Sequence, residues 1–89
     1  MNYKKYRVYI NTPAGGYYAA TSNTVNNLVG LTKYWLERTS AGMYLPSDVK
    51  GSVVLQLLDE TNGSYKAEEL APFDKKDDII NALRSIGGR

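Results

Sequence analysis

Hydrophobic and polar residues alternate from Tyr3 to Ile10. Tyr6, Val8 and Ile10 fall on one side and Tyr3, Lys5, Arg7 and Tyr9 on the other, which is the two-residue period of a half-buried strand. Thr12-Pro13-Ala14-Gly15-Gly16 follows, where proline presets φ and the glycines tolerate positive φ, so a turn and a hairpin are expected. The return strand, Tyr17 to Thr21, is short and weakened by Ala19-Ala20. Ser22-Asn23-Thr24 then offers side-chain oxygens that can cap a helix. Val25, Leu28, Val29, Thr32, Trp35, Leu36 and Thr39 form an i, i+3, i+4, i+7 stripe, widened by Leu31 and Tyr34, which predicts an amphipathic helix. Ala41-Gly42 is placed to end it as a carboxy-terminal glycine cap.

A linker from Met43 to Gly51, with Pro46 and Ser47-Asp48, has room for one short helical turn. Ser52 to Asp59 reads as a buried strand, Glu60-Thr61-Asn62-Gly63 as a hairpin turn, and Ser64 to Leu70 as the return. Val49, Val53 and Leu57, with Val54 and Leu58, also fit helical spacing over 49–58; Gly51 and the Asn-Gly pair favour the strand. After Pro72-Phe73, Asp74 can cap a last helix with Asp77 at the capping-box position. Ile79, Ile80, Leu83 and Ile86 form that helix's apolar face, and Gly87-Gly88 stop it.

The resulting ββαββα order predicts an α+β two-layer sandwich, a four-stranded, mainly antiparallel sheet with two helices on one face. It reads as a single domain, 1–89, whose approximate halves 3–42 and 49–88 each hold a hairpin and a helix. The uncovered sheet face is left to meet water or a partner.

Composition narrows the chemistry. At 89 residues, 43% hydrophobic and 22% charged, the chain has the balance of a folded domain rather than of a disordered one. It contains no cysteine and no histidine, so disulfides, the usual zinc ligands, the commonest general base and the best neutral-pH nucleophile are all missing. An enzyme, a metal site and a cofactor are therefore not expected. The remaining carboxylates read as structural. Glu68 and Glu69 are adjacent in a strand and point to opposite faces, and Asp77 and Asp78 sit where acids complement a helix dipole. Ala14-Gly15-Gly16 has neither the glycine spacing of a dinucleotide loop nor the lysine of a phosphate loop. The amino terminus carries no apolar signal region, and the longest apolar run, Val53-Val54-Leu55, is far short of the roughly 20 residues a membrane helix needs, so a cytoplasmic protein is expected.

The net charge of +2 is too small to argue for nucleic acid. Its distribution is uneven: residues 1–50 hold Lys4, Lys5, Arg7, Lys33, Arg38 and Lys50 against Glu37 and Asp48, whereas acids outnumber bases in residues 51–89. The candidate site is the first strand, where Tyr3, Lys5, Arg7 and Tyr9 alternate rings with cations on one face. Rings beside cations can stack bases and meet phosphates, the scheme of single-stranded nucleic-acid binders, or can simply cover the polar side of a sheet. The glycine-aromatic pattern of RNA-recognition strands is absent. Eight tyrosines and one tryptophan favour a protein interface. If Val53, Leu55 and Leu57 point inward, Val54, Gln56 and Leu58 emerge beside the first strand's polar face, and a patch of that kind also admits a homodimer. Tyr6 and Trp35 are assigned to the interior, and Tyr3, Tyr9, Tyr17 or Tyr18, and Tyr44 to the surface.

The expected function is a non-enzymatic protein-binding module, an adaptor or inhibitor, with a single-stranded nucleic-acid-binding domain as the alternative. Small cysteine-free chains without catalytic residues are common among phage and mobile-element inhibitors of host defence, anti-CRISPR proteins included; no motif here names such a family.

Overall fold

The alternation in the first strand decides which residues can enter the core, and the neighbouring strands adopt the register that matches it. In the computed structural model, which describes residues 4–87, β1 (Tyr6–Thr12) and β2 (Gly15–Ser22) form a hairpin. A 3-10 turn, Val25–Asn27, leads into α1 (Leu28–Arg38), and a four-residue helix, α2 (Ser40–Met43), follows at once. A second hairpin, β3 (Gly51–Asp59) and β4 (Ser64–Phe73), is succeeded by a 3-10 turn, Lys76–Asp78, and α3 (Ile79–Gly87). All strand pairings are antiparallel, in the order β2-β1-β3-β4.

This is an α+β domain with an open antiparallel sheet. Segment 51–59 is strand, which resolves the ambiguous spacing of its valines and leucines. The β-branched run gains two paired neighbours in the middle of the sheet, where a short helix would bury only one stripe.

Val8 and Ile10 lie opposite Leu55 and Val53, and all four are closed off from solvent. Leu28, Trp35 and Leu36 of α1 and Ile79, Leu83 and Ile86 of α3 cover that side, with Phe73 and Leu45 closing the ends. Each aliphatic side chain buried this way contributes about 1.5–3 kcal/mol. Trp35 is interior as expected and stacks on Tyr17 with ring centroids 5.7 Å apart. That contact makes Tyr17 half-buried and leaves Tyr18 as the exposed member of the pair.

The structure corrects the expected helix ends and the expected pair of helices. α1 stops at Arg38 because Thr39 adopts extended geometry; its hydroxyl donates to the Trp35 carbonyl at 2.5 Å and accepts the Gly42 N–H at 3.2 Å, starting α2. Gly42 is therefore not a cap. A Cβ there would lie 2.1 Å from the Trp35 carbonyl oxygen, so only glycine lets α2 fold back on the last turn of α1. α2 ends at Met43, where the expected linker begins, and within the linker Pro46 to Val49 forms a single turn closed by the Val49 N–H donating to the Pro46 carbonyl at 3.1 Å. Asp74 caps nothing: β4 runs on to Phe73, and Lys75 occupies the N-cap position without a side-chain bond. Ser22 and Asn23 do use their side chains, but neither bonds a helical N–H: Ser22 accepts the N–H of the N-cap residue Thr24, and Asn23 accepts the Lys5 N–H and ties the ends of the hairpin.

Thr32, on the buried stripe of α1, is fully enclosed, and among the described residues its hydroxyl finds no hydrogen-bond partner. A buried unpaired hydroxyl costs about 1–3 kcal/mol. Thr32→Val removes it with little change of shape, so the variant should unfold at higher denaturant with an unchanged m-value, a gain of about 1 kcal/mol. An equal or lower midpoint would show that the hydroxyl is satisfied.

Candidate functional site: the open sheet face

β1 and β3 run without irregularity through the centre of the sheet, so Arg7, Tyr9 and Asn11 pair with Gln56, Val54 and Ser52 on the side away from the helices. Both edge strands carry a bulge. Ala19 is the extra residue of β2, between the pairs Val8–Ala20 and Tyr9–Tyr18, and Glu68 is the extra residue of β4, between Leu55–Glu69 and Gln56–Ala67. Strict alternation across Glu68-Glu69 is thus interrupted. The bulges place Tyr18 opposite Tyr9 on one flank, and Leu70 and Tyr65 opposite Val54 and Leu58 on the other.

Arg7 is the centre of this face. Its guanidinium carbon lies 4.5 Å from the ring centroid of Tyr18 and 3.6 Å from that of Tyr65, so one cation bridges the two edge strands. Its Nε and Nη2 both donate to Gln56 Oε1, at 3.1 and 2.9 Å. The Tyr65 hydroxyl donates to the Lys4 carbonyl and anchors that ring from behind. Tyr9 stacks on Tyr18 at 5.0 Å, with planes tilted by 58°. A Cβ at Gly16 would overlap the Tyr9 ring, 1.6 Å from its hydroxyl oxygen, so glycine is what lets this ring lie across the hairpin.

Of the residues singled out from the sequence, Arg7, Tyr9, Val54, Gln56 and Leu58 share this face. Val54 is 7% exposed, covered between the flanking rows, while Tyr18 and Leu70 at the rim are 54% and 64% exposed. Lys5 is exposed just ahead of β1, its carbonyl accepting the Leu58 N–H at 2.8 Å. Tyr3 lies outside the described residues. Tyr65 and Leu70 escaped the sequence reading, and Tyr18 appeared only as one of a pair, because all three belong to edge strands whose facing depends on the bulges. Tyr44 is 83% exposed as expected but stands apart, beside a second concavity of about 700 Å3 between the β1–β2 turn and segment 40–50.

The electrostatics are simple. Among the described residues the one ion pair is Lys66–Asp59, at 3.3 Å, and Arg7 has no carboxylate partner. The Thr61 backbone N–H donating to Asp59 Oδ1 at 3.0 Å, and then Lys66, hold the Asp59 carboxyl below its ordinary value of 3.8. The folded state therefore binds this proton less readily than the unfolded chain, so the carboxylate's contribution is complete above 3.8 and is lost as pH falls through the lower folded value. An NMR titration should place the Asp59 midpoint below 3.8, and the Thr61 amide should move with it; a midpoint at or above that value would mean that the turn's hydrogen bond does not form in solution.

A double-mutant cycle tests the centre of the face. Arg7→Met and Tyr65→Leu should each destabilise the fold, with a coupling of about 0.5–2 kcal/mol between them in chemical denaturation. Additive effects would show that the cation and the ring do not interact in solution.

No protein-family model, no curated protein and no solved structure matches this chain, so what the face does must be argued from its own chemistry.

Proposed function

We propose that this chain is a non-enzymatic protein-binding module, an adaptor or inhibitor, that engages its partner through the open face around Arg7. The observation that carries the reading is an arginine held ready before any partner arrives. Two of its five N–H donors are spent on Gln56, which leaves the rest for an incoming carbonyl or carboxylate. Because Tyr18, Tyr65 and Gln56 already fix the side chain, little rotamer entropy is lost on binding. Tyrosine and arginine are the residues that dominate interface energetics, and the half-exposed Tyr18 and Leu70 supply an apolar rim around them. The matching partner surface offers an acceptor, carboxylate or backbone carbonyl, beside an apolar side chain.

The same geometry counts against the single-stranded nucleic-acid alternative. Stacking platforms need free ring faces, and here Tyr18 meets both Tyr9 and Arg7 while Tyr65 meets Arg7.

Affinity capture from the native host, compared between the natural chain and a folded Arg7→Ala/Tyr18→Ala variant, tests the reading. The expected result is a partner lost by the variant; a partner retained at full strength would remove this face from consideration. Labelled oligonucleotides should show no binding at low salt. Binding that falls steeply as salt rises would instead establish phosphate contacts and overturn the protein-binding reading.

A further inference from the structure

The two edges of the sheet are treated differently. β4 carries Lys66, Glu68, Glu69 and Pro72 along its length, the devices by which natural sheets discourage a further strand. β2 has the sequence Gly-Gly-Tyr-Tyr-Ala-Ala-Thr-Ser, with neither charge nor proline, and its outer edge pairs with no strand among the described residues. Both edges contain a bulge, so the bulge does not separate them. Beside β2, on the helix side, a groove runs between Tyr18–Thr21 and α1, and its wall includes Leu31 and Tyr34, which are 41% and 63% exposed. An uncharged, unpaired edge lined by exposed apolar groups is a surface for strand addition.

We infer that this edge takes the β2 strand of a second copy of the chain, antiparallel about a twofold axis, giving one eight-stranded sheet with α1 packed on its symmetry mate. The occupant follows from self-complementarity. A twofold interface brings each surface against itself, so like charges near the axis are excluded, and β2 has none. Helical spacing places Asn27, Leu31, Tyr34 and Arg38 on one stripe of α1. Reversed about a twofold axis, that stripe sets Leu31 against the mate's Tyr34 and Arg38 against the mate's Asn27, so apolar meets apolar and the two arginines stand at opposite ends. The open face around Arg7 stays uncovered, doubled on one side of the longer sheet.

Sedimentation equilibrium of the full chain at about 100 µM, a concentration that detects Kd values weaker than micromolar, should give the mass of two chains. Leu31→Lys/Tyr34→Lys alters only exposed positions remote from Arg7 and should weaken the association at least tenfold while circular dichroism stays native. In hydrogen exchange, the amides of Gly15–Ser22 should be as protected as those of β1 in the natural chain and should lose that protection in the variant. A single-chain mass for the natural protein, an undiminished dimer in the variant, or a dimer whose β2 amides exchange freely would each overturn the inference. Because Tyr18 lines this groove as well as the open face, Arg7→Ala alone separates the two readings: it leaves β2 and α1 untouched, so it should keep the dimer while losing the partner.

Discussion

The pairing of β1 with β3 at the centre of the sheet, Val8 against Leu55 and Ile10 against Val53, is the contact on which every other element depends. These four side chains form the floor of the core, and both helices bury their stripes on it. Because successive residues of a strand point to opposite faces, placing Val8 and Ile10 inward leaves no freedom for Arg7 and Tyr9. The same step that closes the core therefore puts a cation and a ring on the face the helices leave open. A one-residue slip would send Arg7 into the core, at the desolvation cost of a buried charge. Core and candidate site are thus two consequences of one register.

Edge strands obey a looser rule. With only one hydrogen-bonded neighbour each, β2 and β4 can absorb an extra residue, and both do, at Ala19 and Glu68. In β2 the bulge falls at Ala19-Ala20, where small side chains let both residues be buried without crowding. Those same alanines look like a weakness when the strand is read alone. The bulges re-aim the flanking residues, and this brings Tyr18 and Tyr65 from opposite edges to the same arginine. Arg7 in turn spans all four strands through Gln56, making the open face a connected surface rather than a row of independent side chains.

The helical layer shows how local hydrogen bonding overrides a spacing pattern. The apolar stripe continues to Thr39, yet the helix stops one residue short because the Thr39 hydroxyl is better placed as a cap for the next turn. Gly42 then permits the backbone contact that locks α2 against α1. The stripe predicts which face is buried far better than where the helix ends.

The chain by itself determined the α+β class, the order of hairpins and main helices, the inward set Val8, Ile10, Val53 and Leu55, and the placing of Arg7, Tyr9, Val54, Gln56 and Leu58 on a common face. These follow from periodicity, which is a local property. Only the tertiary structure decided that Tyr18, Tyr65 and Leu70 join them, that Val54 is covered while Leu70 is exposed, that Glu68 sits in a bulge and that Gly42 is a packing residue. Each of these depends on strand order and on register across pairs far apart in the chain. Arg7 and Tyr65 are 58 residues apart, and their contact exists only because β1 and β4 flank the same central strand.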